Sequence, residues 1–311
     1  MRSLPDGYAI RPASLDDLDG VAEMLLADDL ADTGQSDFDA DFLRDQWSSP
    51  GLDLSVDAWV VTDPRSTIVG HANVAPEGDG KLKSWGLVHP DHRGRGIGSV
   101  LLGRIETRAA ERIEPGSGSV FTAVTDLDAA GASLVGSRGF ERVRSFRHLQ
   151  LDLDGPPPEP GEPPPGIEIK GIEPERDLAT VHAIFVEAFR EEWGYRVIPF
   201  EEWSSLEVET TSYDRSLWLL ATDGDEAVGA LSGVVWGDRG WVGELGVRKP
   251  WRRRGIASAL LRRAFATFAS RDLPRVMLNV DAANPTGAVR LYERLGMRTV
   301  RGWDVYEKRV G

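Results

Sequence analysis

At 311 residues the chain exceeds a typical single domain and suits two of about 150 residues each. With 41% hydrophobic and 28% charged residues it can bury ordinary cores, and its net charge of −14 argues against nucleic-acid or anionic-membrane binding while mildly favouring cationic partners. It has no cysteine, which excludes disulfides, thiolate metal sites and an acyl-cysteine intermediate.

The opening "MRSLPDGYAIRP" has no apolar signal-peptide region, and no apolar run approaches membrane-spanning length. The expectation is a soluble, cytoplasmic protein. Residues 93–102, "RGRGIGSVLL", place a basic, glycine-bearing turn at the start of a helix. Further on, "DGPPPEPGEPPPG" (154–166) supports neither helix nor central strand, since proline lacks a backbone N–H, and it reads as a stiff solvated linker. It divides the chain into 1–153 and 167–311.

Beyond the linker, "IEIK" (167–170) is a short strand. Residues 177–189 put Val181, Ile184, Phe185, Ala188 and Phe189 on one helical face. "LWLLAT" and "AVGALSGVVW" form a hairpin around the turn residues "DGDE", and "WVGELGV" (241–247) is the next strand. "IASALLRRAFATFA" (256–269) is a helix with Leu260, Leu261, Ala264, Phe265 and Phe268 inward, and "RVMLNVDA" (275–282) is a strand. A helix over 285–295 with proline in its first turn and a final strand or hairpin in "TVRGWDVYEK" complete the chain.

The two halves superimpose by counting. Ile10 matches Ile169, Trp59 matches Trp218, Gly70 matches Gly229 and Arg93 matches Arg252, each pair 159 residues apart. "RGFERV" (138–143) matches "LGMRTV" (295–300) at a spacing of 157. Two copies of one α/β layered fold follow, each with a mixed sheet.

"RGRGIGSVLL" and "RRRGIASALL" (252–261) each follow a strand and open a helix. Glycine permits a tight turn that converges backbone N–H groups beside the positive end of the helix dipole, and arginines add charge-assisted bonds. That suits a phosphate or pyrophosphate, although a basic helix start that merely meets solvent has comparable weight for one isolated copy. Neither loop fits the P-loop or the G-x-G-x-x-G fingerprint.

Both loops resemble the acetyl-CoA loop of the GNAT acyltransferase superfamily, Q/R-x-x-G-x-G/A, with Arg93, Gly96 and Gly98 in the first half and Arg252, Gly255 and Ala257 in the second. "NPTGAVRLYERLGM" (284–297) resembles the family's later motif, and "AIRPASLDDL" and "EIKGIEPERDL" resemble its opening. The resemblance implies two tandem GNAT folds, each a mixed, mostly antiparallel sheet flanked by helices. It implies an N-acetyltransferase that moves an acetyl group from acetyl-CoA to a small-molecule amine by direct attack in a ternary complex. Pantetheine would insert where two strands splay, with the backbone N–H around Val247, or Val88 in the first copy, polarising the thioester carbonyl. Coenzyme contacts are then expected at Leu245, Val247, Arg252, Arg253, Arg254 and Gly255, continuing through Ile256, Ala257 and Ser258 to Asn284. In the first half they are expected at Val88, Arg93, Gly94, Arg95, Gly96, Ile97 and Gly98.

By the same resemblance Tyr292 protonates the departing thiolate; the plainer alternative is an aromatic packing its helix. Glu244, eight residues before Arg252, could draw a proton from the amine through water, or could simply face solvent. Their counterparts are Val135 and Trp85, so the first half reads as non-catalytic or degenerate. The acceptor should meet residues 187–203, where Glu187, Glu192 and Trp193 would recognise a cationic amine. His89 and His92 lack further ligands nearby in sequence, so no metal is expected.

The tandem layout with a quieter first half resembles the mycothiol synthases, which acetylate a cysteinyl pseudodisaccharide amine, although no residue singles out that substrate. The competing class is a non-catalytic acyl-CoA-binding sensor or scaffold. Neither nucleic acid nor membrane is an expected partner, and the oligomeric state is monomer or homodimer.

Overall fold

The computed structural model describes residues 3–34, 40–48, 51–155, 159–208, 213–284 and 286–311. It forms two compact units, Met1–Phe146 with Arg301–Gly311, and Arg147–Val300. These differ from the halves expected on either side of the linker. The described linker residues belong wholly to the second unit, and the last strand belongs to the first from Arg301 onward.

In the first half the elements are β1 (Ala9–Pro12), α1 (Leu18–Thr33), α2 (Ala40–Trp47), α3 (Leu54–Asp57), β2 (Ala58–Thr62), β3 (Ile68–Gly78) and β4 (Lys81–Val88). They continue as α4 (Ile97–Arg112), β5 (Ser119–Thr125), α5 (Ala129–Ser137) and β6 (Glu141–Asp152). The second half repeats the order with β7 (Ile167–Gly171), α6 (Pro174–Phe189), α7 (Phe200–Val208), β8 (Leu219–Asp223), β9 (Glu226–Trp236) and β10 (Arg239–Val247). It ends with α8 (Ile256–Ala269), β11 (Arg275–Asp281), α9 (Ala288–Arg294) and β12 (Arg298–Arg309).

Unit 1 carries the strand order β1-β2-β3-β4-β5-β12, and unit 2 the order β6-β11-β10-β9-β8-β7. Both sheets are mixed and mostly antiparallel, with β4/β5 and β10/β11 pairing in parallel. Strand β12 is a single strand rather than a hairpin. Its residues Trp303 to Arg309 run antiparallel to β5, from Thr125 back to Ser119. A period-2 strand has no local signal for which edge it will join, which is why counting along the sequence assigned it to the wrong side.

The helical periods translate into cores. All five inward residues read on α8 are buried, with Phe268 and Leu260 fully so. The leucines and phenylalanines among them each contribute about 1.5–3 kcal/mol of transfer free energy. On α6, Val181, Ile184 and Phe185 are buried, while Ala188 and Phe189 are half-exposed toward the helix end. The helix expected from 285 begins at Ala288 instead. Asn284 Oδ1 accepts from the Thr286 N–H at 2.8 Å, and Gly287 takes φ +77°, so a side-chain-closed turn delays the helix. Pro285 itself lies outside the described residues. The described linker residues adopt no helix or strand and are mostly exposed, yet Ile167 N–H donates to the Pro164 carbonyl at 2.9 Å. Among the described residues no helix is long and apolar enough to cross a membrane.

Truncating the chain after Val300 strips β12 from β5 and removes Tyr306 and Val310 from the unit 1 core. The expected outcome in hydrogen exchange is lost protection in β2, β3 and β5, with β8, β9 and β10 retaining theirs. Equal loss in both sets would contradict this assignment of the strand.

Candidate active site

The site in unit 2 begins where two strands part. Arg239, Gly240 and Trp241 pair in parallel with Arg275, Val276 and Met277, and the pairing goes no further. On its other edge β10 pairs with β9, with one register shift between Val242 and Leu245. That bulge adds a residue to β10, and the Glu244 N–H is taken by the Ser232 hydroxyl at 2.9 Å instead of by a strand partner. A bulged strand bends and twists more strongly, which separates it from its parallel neighbour. Leu245, Gly246 and Val247 remain in register with Leu231, Ala230 and Gly229. At Gly246 helix α6 comes close: an added Cβ would stand 3.0 Å from the Ala188 Cβ.

The basic loop follows. Arg253 takes φ +67° and Gly255 φ +87°, the latter capping α8. In the first copy the same two positions are Gly94 at φ +76° and Gly96 at φ +86°. A left-handed arginine costs about 1–2 kcal/mol relative to its ordinary conformation, so the loop shape is imposed by its surroundings. The turn leaves the first N–H groups of α8, at Ile256, Ala257 and Ser258, without intrahelical acceptors. A pyrophosphate fits such a helix start, and the parted strands beside it leave room for an extended chain.

The arginines divide in role. Arg252 folds back, its Nε donating to the Val247 carbonyl at 3.0 Å and its Nη2 to the Ala188 carbonyl at 3.4 Å. Arg254 pairs with Asp223 at 3.1 Å, and the Trp251 indole N–H donates to the same carboxylate at 3.0 Å. Arg253 is exposed and makes no ion pair among the described residues. Glu187 receives Arg248 Nη1 at 3.1 Å and the Lys249 N–H at 3.3 Å, so it braces the start of the loop.

Two ionisable groups stand out. Burial pushes the Glu244 carboxyl up to about 8, assisted by the nearby charge of Glu207 and opposed by a hydrogen bond from the Trp203 side chain. Its Oε2 is buried without a hydrogen-bond partner among the described residues. The Tyr292 phenol is raised by burial and then by the Glu192 charge. The Asn284 amide donates to Glu192 at 2.9 Å. Tyr195, pushed up to about 12 by burial and by Glu244, stacks near Phe189 with ring centroids 5.7 Å apart. The segment after α6 therefore meets Glu244 through Tyr195 and Tyr292 through Glu192. Trp193 lies on the same segment, exposed.

The first copy keeps the loop and alters what surrounds it. Trp85 stands at the Glu244 position, with its ring 4.9 Å from His71, and the Trp47 ring lies 5.2 Å from the same imidazole. His71 is fully buried, which pushes its pKa down to about 4 and keeps it neutral. Across Asn73 to Val74 and Gly70 to His71, β3 and β4 pair without a shift, so no bulge turns a side chain into a cleft here. Val135 and Tyr292 are structural equivalents: their carbonyls accept from Phe140 and Met297 at 3.2 and 3.1 Å. Arg93 hydrogen-bonds Val88 weakly at 3.4 Å and is held by Asp28, with Asp32 at 3.6 Å. Arg95 donates to the Tyr8 hydroxyl at 2.8 Å, and Ile97 is buried beneath the loop while Gly98 faces Leu134. Among the described residues no cluster of three or more acids or histidines is placed to hold a metal ion.

Sequence reading missed Glu207 and Ser232. Ser232 is a strand serine like any other until the bulge turns the Glu244 N–H toward it. Glu207 carried no signal either, since it is one of several glutamates on a short helix and stays exposed.

The family described as "Acetyltransferase (GNAT) family" matches residues 178–297, and "Acetyltransferase (GNAT) domain" matches residues 55–142. A mycothiol acetyltransferase of Thermobispora bispora is 35% identical over 68% of this chain and 70% of its own length. One of Beutenbergia cavernae is 33% identical over 78% and 80%. A crystal structure of a GCN5-related N-acetyltransferase from Sphaerobacter thermophilus superimposes with a TM-score of 0.84 at 32% identity, covering 99% of this chain and 97% of that one. A tandem GNAT protein from the clavulanic acid biosynthesis pathway shares the fold, with a TM-score of 0.74 at 18% identity over 98% and 99%.

Between the ordinary glutamate range and about pH 8 the folded chain keeps a proton on Glu244 that the unfolded chain has released. The unfolded state binds fewer protons there, so this group lowers stability as pH rises through that window. Glu244→Gln should therefore raise Tm more at pH 8.5 than at pH 5, read by thermal denaturation. A pH-independent difference would show that the carboxyl is not held protonated.

Proposed function

We propose, for a chain that belongs to the GNAT family of acetyltransferases, that unit 2 performs the transfer, from acetyl-CoA to the primary amine of a small molecule in a ternary complex. The observation that carries this reading is the parting of β10 from β11 beside the α8 loop, with Glu244 and Tyr292 reached by one segment. Acetyl-CoA would supply an activated thioester acetyl group. The N–H groups of Ile256, Ala257 and Ser258 would bind its pyrophosphate, with Arg253 adding charge. Arg252 and Glu187 hold the strand end and loop in that shape.

In its ionised form, which grows as pH approaches 8, the Glu244 carboxylate takes a proton from the acceptor ammonium and frees the nitrogen lone pair. A carboxyl pushed up to about 8 matches an amine near neutral pH better than an ordinary carboxylate, because proton transfer is most effective between groups of similar pKa. Tyr292, kept protonated by burial, donates its phenolic proton to the departing sulfur. Unit 1, with Trp85 and Val135 at the two positions, has neither group.

For the acceptor, the relatives named mycothiol acetyltransferases support a cysteinyl pseudodisaccharide amine of the mycothiol type. Carboxylates and aromatic rings along residues 187–203 are compatible with an ammonium joined to sugars. The test is coenzyme-thiol release with that amine beside polyamine and aminoglycoside amines. Turnover should be greatest with the cysteinyl amine. Preference for another amine would overturn the acceptor, and no release with any amine would favour a sensor.

Tyr292→Phe keeps the buried ring but removes the proton, so kcat should fall roughly ten- to a thousand-fold with coenzyme affinity intact. Full activity in this variant would remove the assignment. Gly255→Val forces a β-branched side chain into φ +87°, and calorimetric acetyl-CoA affinity should fall by roughly severalfold or more.

A further inference from the structure

We propose that Pro164, near the end of the proline-rich segment, is a positioning residue for the coenzyme: it holds the α8 loop in the shape that binds the pyrophosphate. This rests on the reading of that loop as the acetyl-CoA site.

The two copies share this feature. "PPGI" (164–167) and "PDGY" (5–8) stand 159 residues apart, the offset that relates the halves. Each closes a turn that leads into the first strand of its half. The Ile167 N–H donates to the Pro164 carbonyl at 2.9 Å, and the Tyr8 N–H donates to the Pro5 carbonyl at 3.1 Å. Gly166 and Gly7 take φ +81° and φ +80°, the left-handed value that the third residue of a type II turn takes. Pro164 is linker by composition but opens a repeated structural turn.

Both turns sit beside the basic loop of their own unit. In unit 1 the Tyr8 hydroxyl accepts from Arg95 at 2.8 Å and bonds the His92 imidazole at 2.8 Å. Unit 2 has Ile167 at the Tyr8 position and lacks that hydroxyl. Its turn reaches the loop by packing instead. An added Cβ on Gly255 would meet the Pro164 Cγ at 3.5 Å, whereas one on Gly96 would meet nothing within 4 Å among the described residues. An added Cβ on Gly166 would stand 3.6 Å from Asp223 Oδ1, and the Oδ2 of that carboxylate takes the Trp251 indole and Arg254. Among the described residues of 154–166, Pro164 alone is half-buried and the others are exposed. Earlier in the segment Gly161 lies on the Arg262 stem, where an added Cβ would be 3.1 Å from Cδ.

The loop needs such support. Arg253 and Gly255 are both left-handed, and an arginine in that region is strained, so a loop without a brace would spend time in other shapes. Arg252 is tied to the end of β10, and Asp223 ties Trp251 and Arg254. Pro164 adds a ring against the glycine that caps α8, immediately before the Ile256, Ala257 and Ser258 N–H groups. Proline suits this task because its φ is fixed and its side chain has no rotamer freedom to lose. A loop held in its binding shape before the coenzyme arrives spares the ordering cost, and the saving appears as affinity. Pro164 acts through Gly255, so its effect falls on coenzyme binding and leaves the chemical step untouched.

The experiment uses the full chain with Pro164→Ala, which removes the ring Cγ and keeps the turn carbonyl, and with Pro163→Ala at an exposed neighbour as control. Pro164→Ala should raise the calorimetric Kd and the KM for acetyl-CoA about three- to tenfold, with kcat at saturating coenzyme and the acceptor KM unchanged. Limited trypsin digestion read by mass spectrometry should cut after Arg252, Arg253 and Arg254 roughly severalfold faster, and saturating acetyl-CoA should restore the wild-type rate. Pro163→Ala should match wild type throughout. Equal acetyl-CoA affinity in the two variants would overturn the inference while leaving the acetyltransferase reading intact. No calorimetric binding by wild type would defeat the coenzyme reading instead, and the cleavage rates would then decide alone whether Pro164 holds the loop.

Discussion

Strand pairing between β10 and β11 lasts three residues, and the rest of the site is arranged around its end. Beyond Trp241 the backbone groups on the inner edge of β10 lose a parallel partner, a costly state unless water or an extended ligand supplies hydrogen bonds. The bulge at 243–244 creates this parting and turns Glu244 at the same stroke. Gly246 lets α6 pack directly on the bent strand; that helix delivers Glu187 to the loop, and the segment after it delivers Glu192 and Tyr195 to the two ionisable groups. Catalytic placement here is a consequence of how a sheet fails to continue.

The two copies show how little must change to silence such a site. Both keep a loop with two left-handed residues before a helix, and both fold an arginine back to the end of the preceding strand. An acidic position toward the end of the first helix is retained as Asp28 and Glu187, but its partner differs. Glu187 takes Arg248 and Lys249, whereas His89 and Pro90 stand there in the first copy and Asp28 takes Arg93. Burial pushes Asp28 up to about 6 against the pull of Arg93. The larger change is the aromatic packing of Trp47, His71 and Trp85, which places rings where unit 2 places a carboxyl.

Buried carboxyls and phenols of this kind run against stability. Desolvation is the leading cause of the shifts at Glu244, Tyr195 and Tyr292, so each holds its proton because water is kept away. An apolar wall of Phe185, Trp203 and Trp218 maintains that exclusion. The same packing that stabilises unit 2 thus tunes the groups proposed for proton transfer, and neither function of the core can be altered alone.

The amino-acid sequence by itself determined the duplication, the α/β class, the two loops and most element bounds. These depend on local periodicity and on a constant offset, which survive in one dimension. It also singled out Glu244 and Tyr292 by contrast between copies, through residues Trp85 and Val135. Only the tertiary structure decided that β12 pairs with β5, because an alternating strand carries no address for its partner. It alone turned Arg252 back to the Val247 carbonyl, gave Glu187 to Arg248, started α9 at Ala288 and brought Glu207 into the electrostatic field of Glu244. Hydrogen-bond partners and ionisation depend on groups distant in sequence and on the exclusion of water, and neither is written in any local pattern.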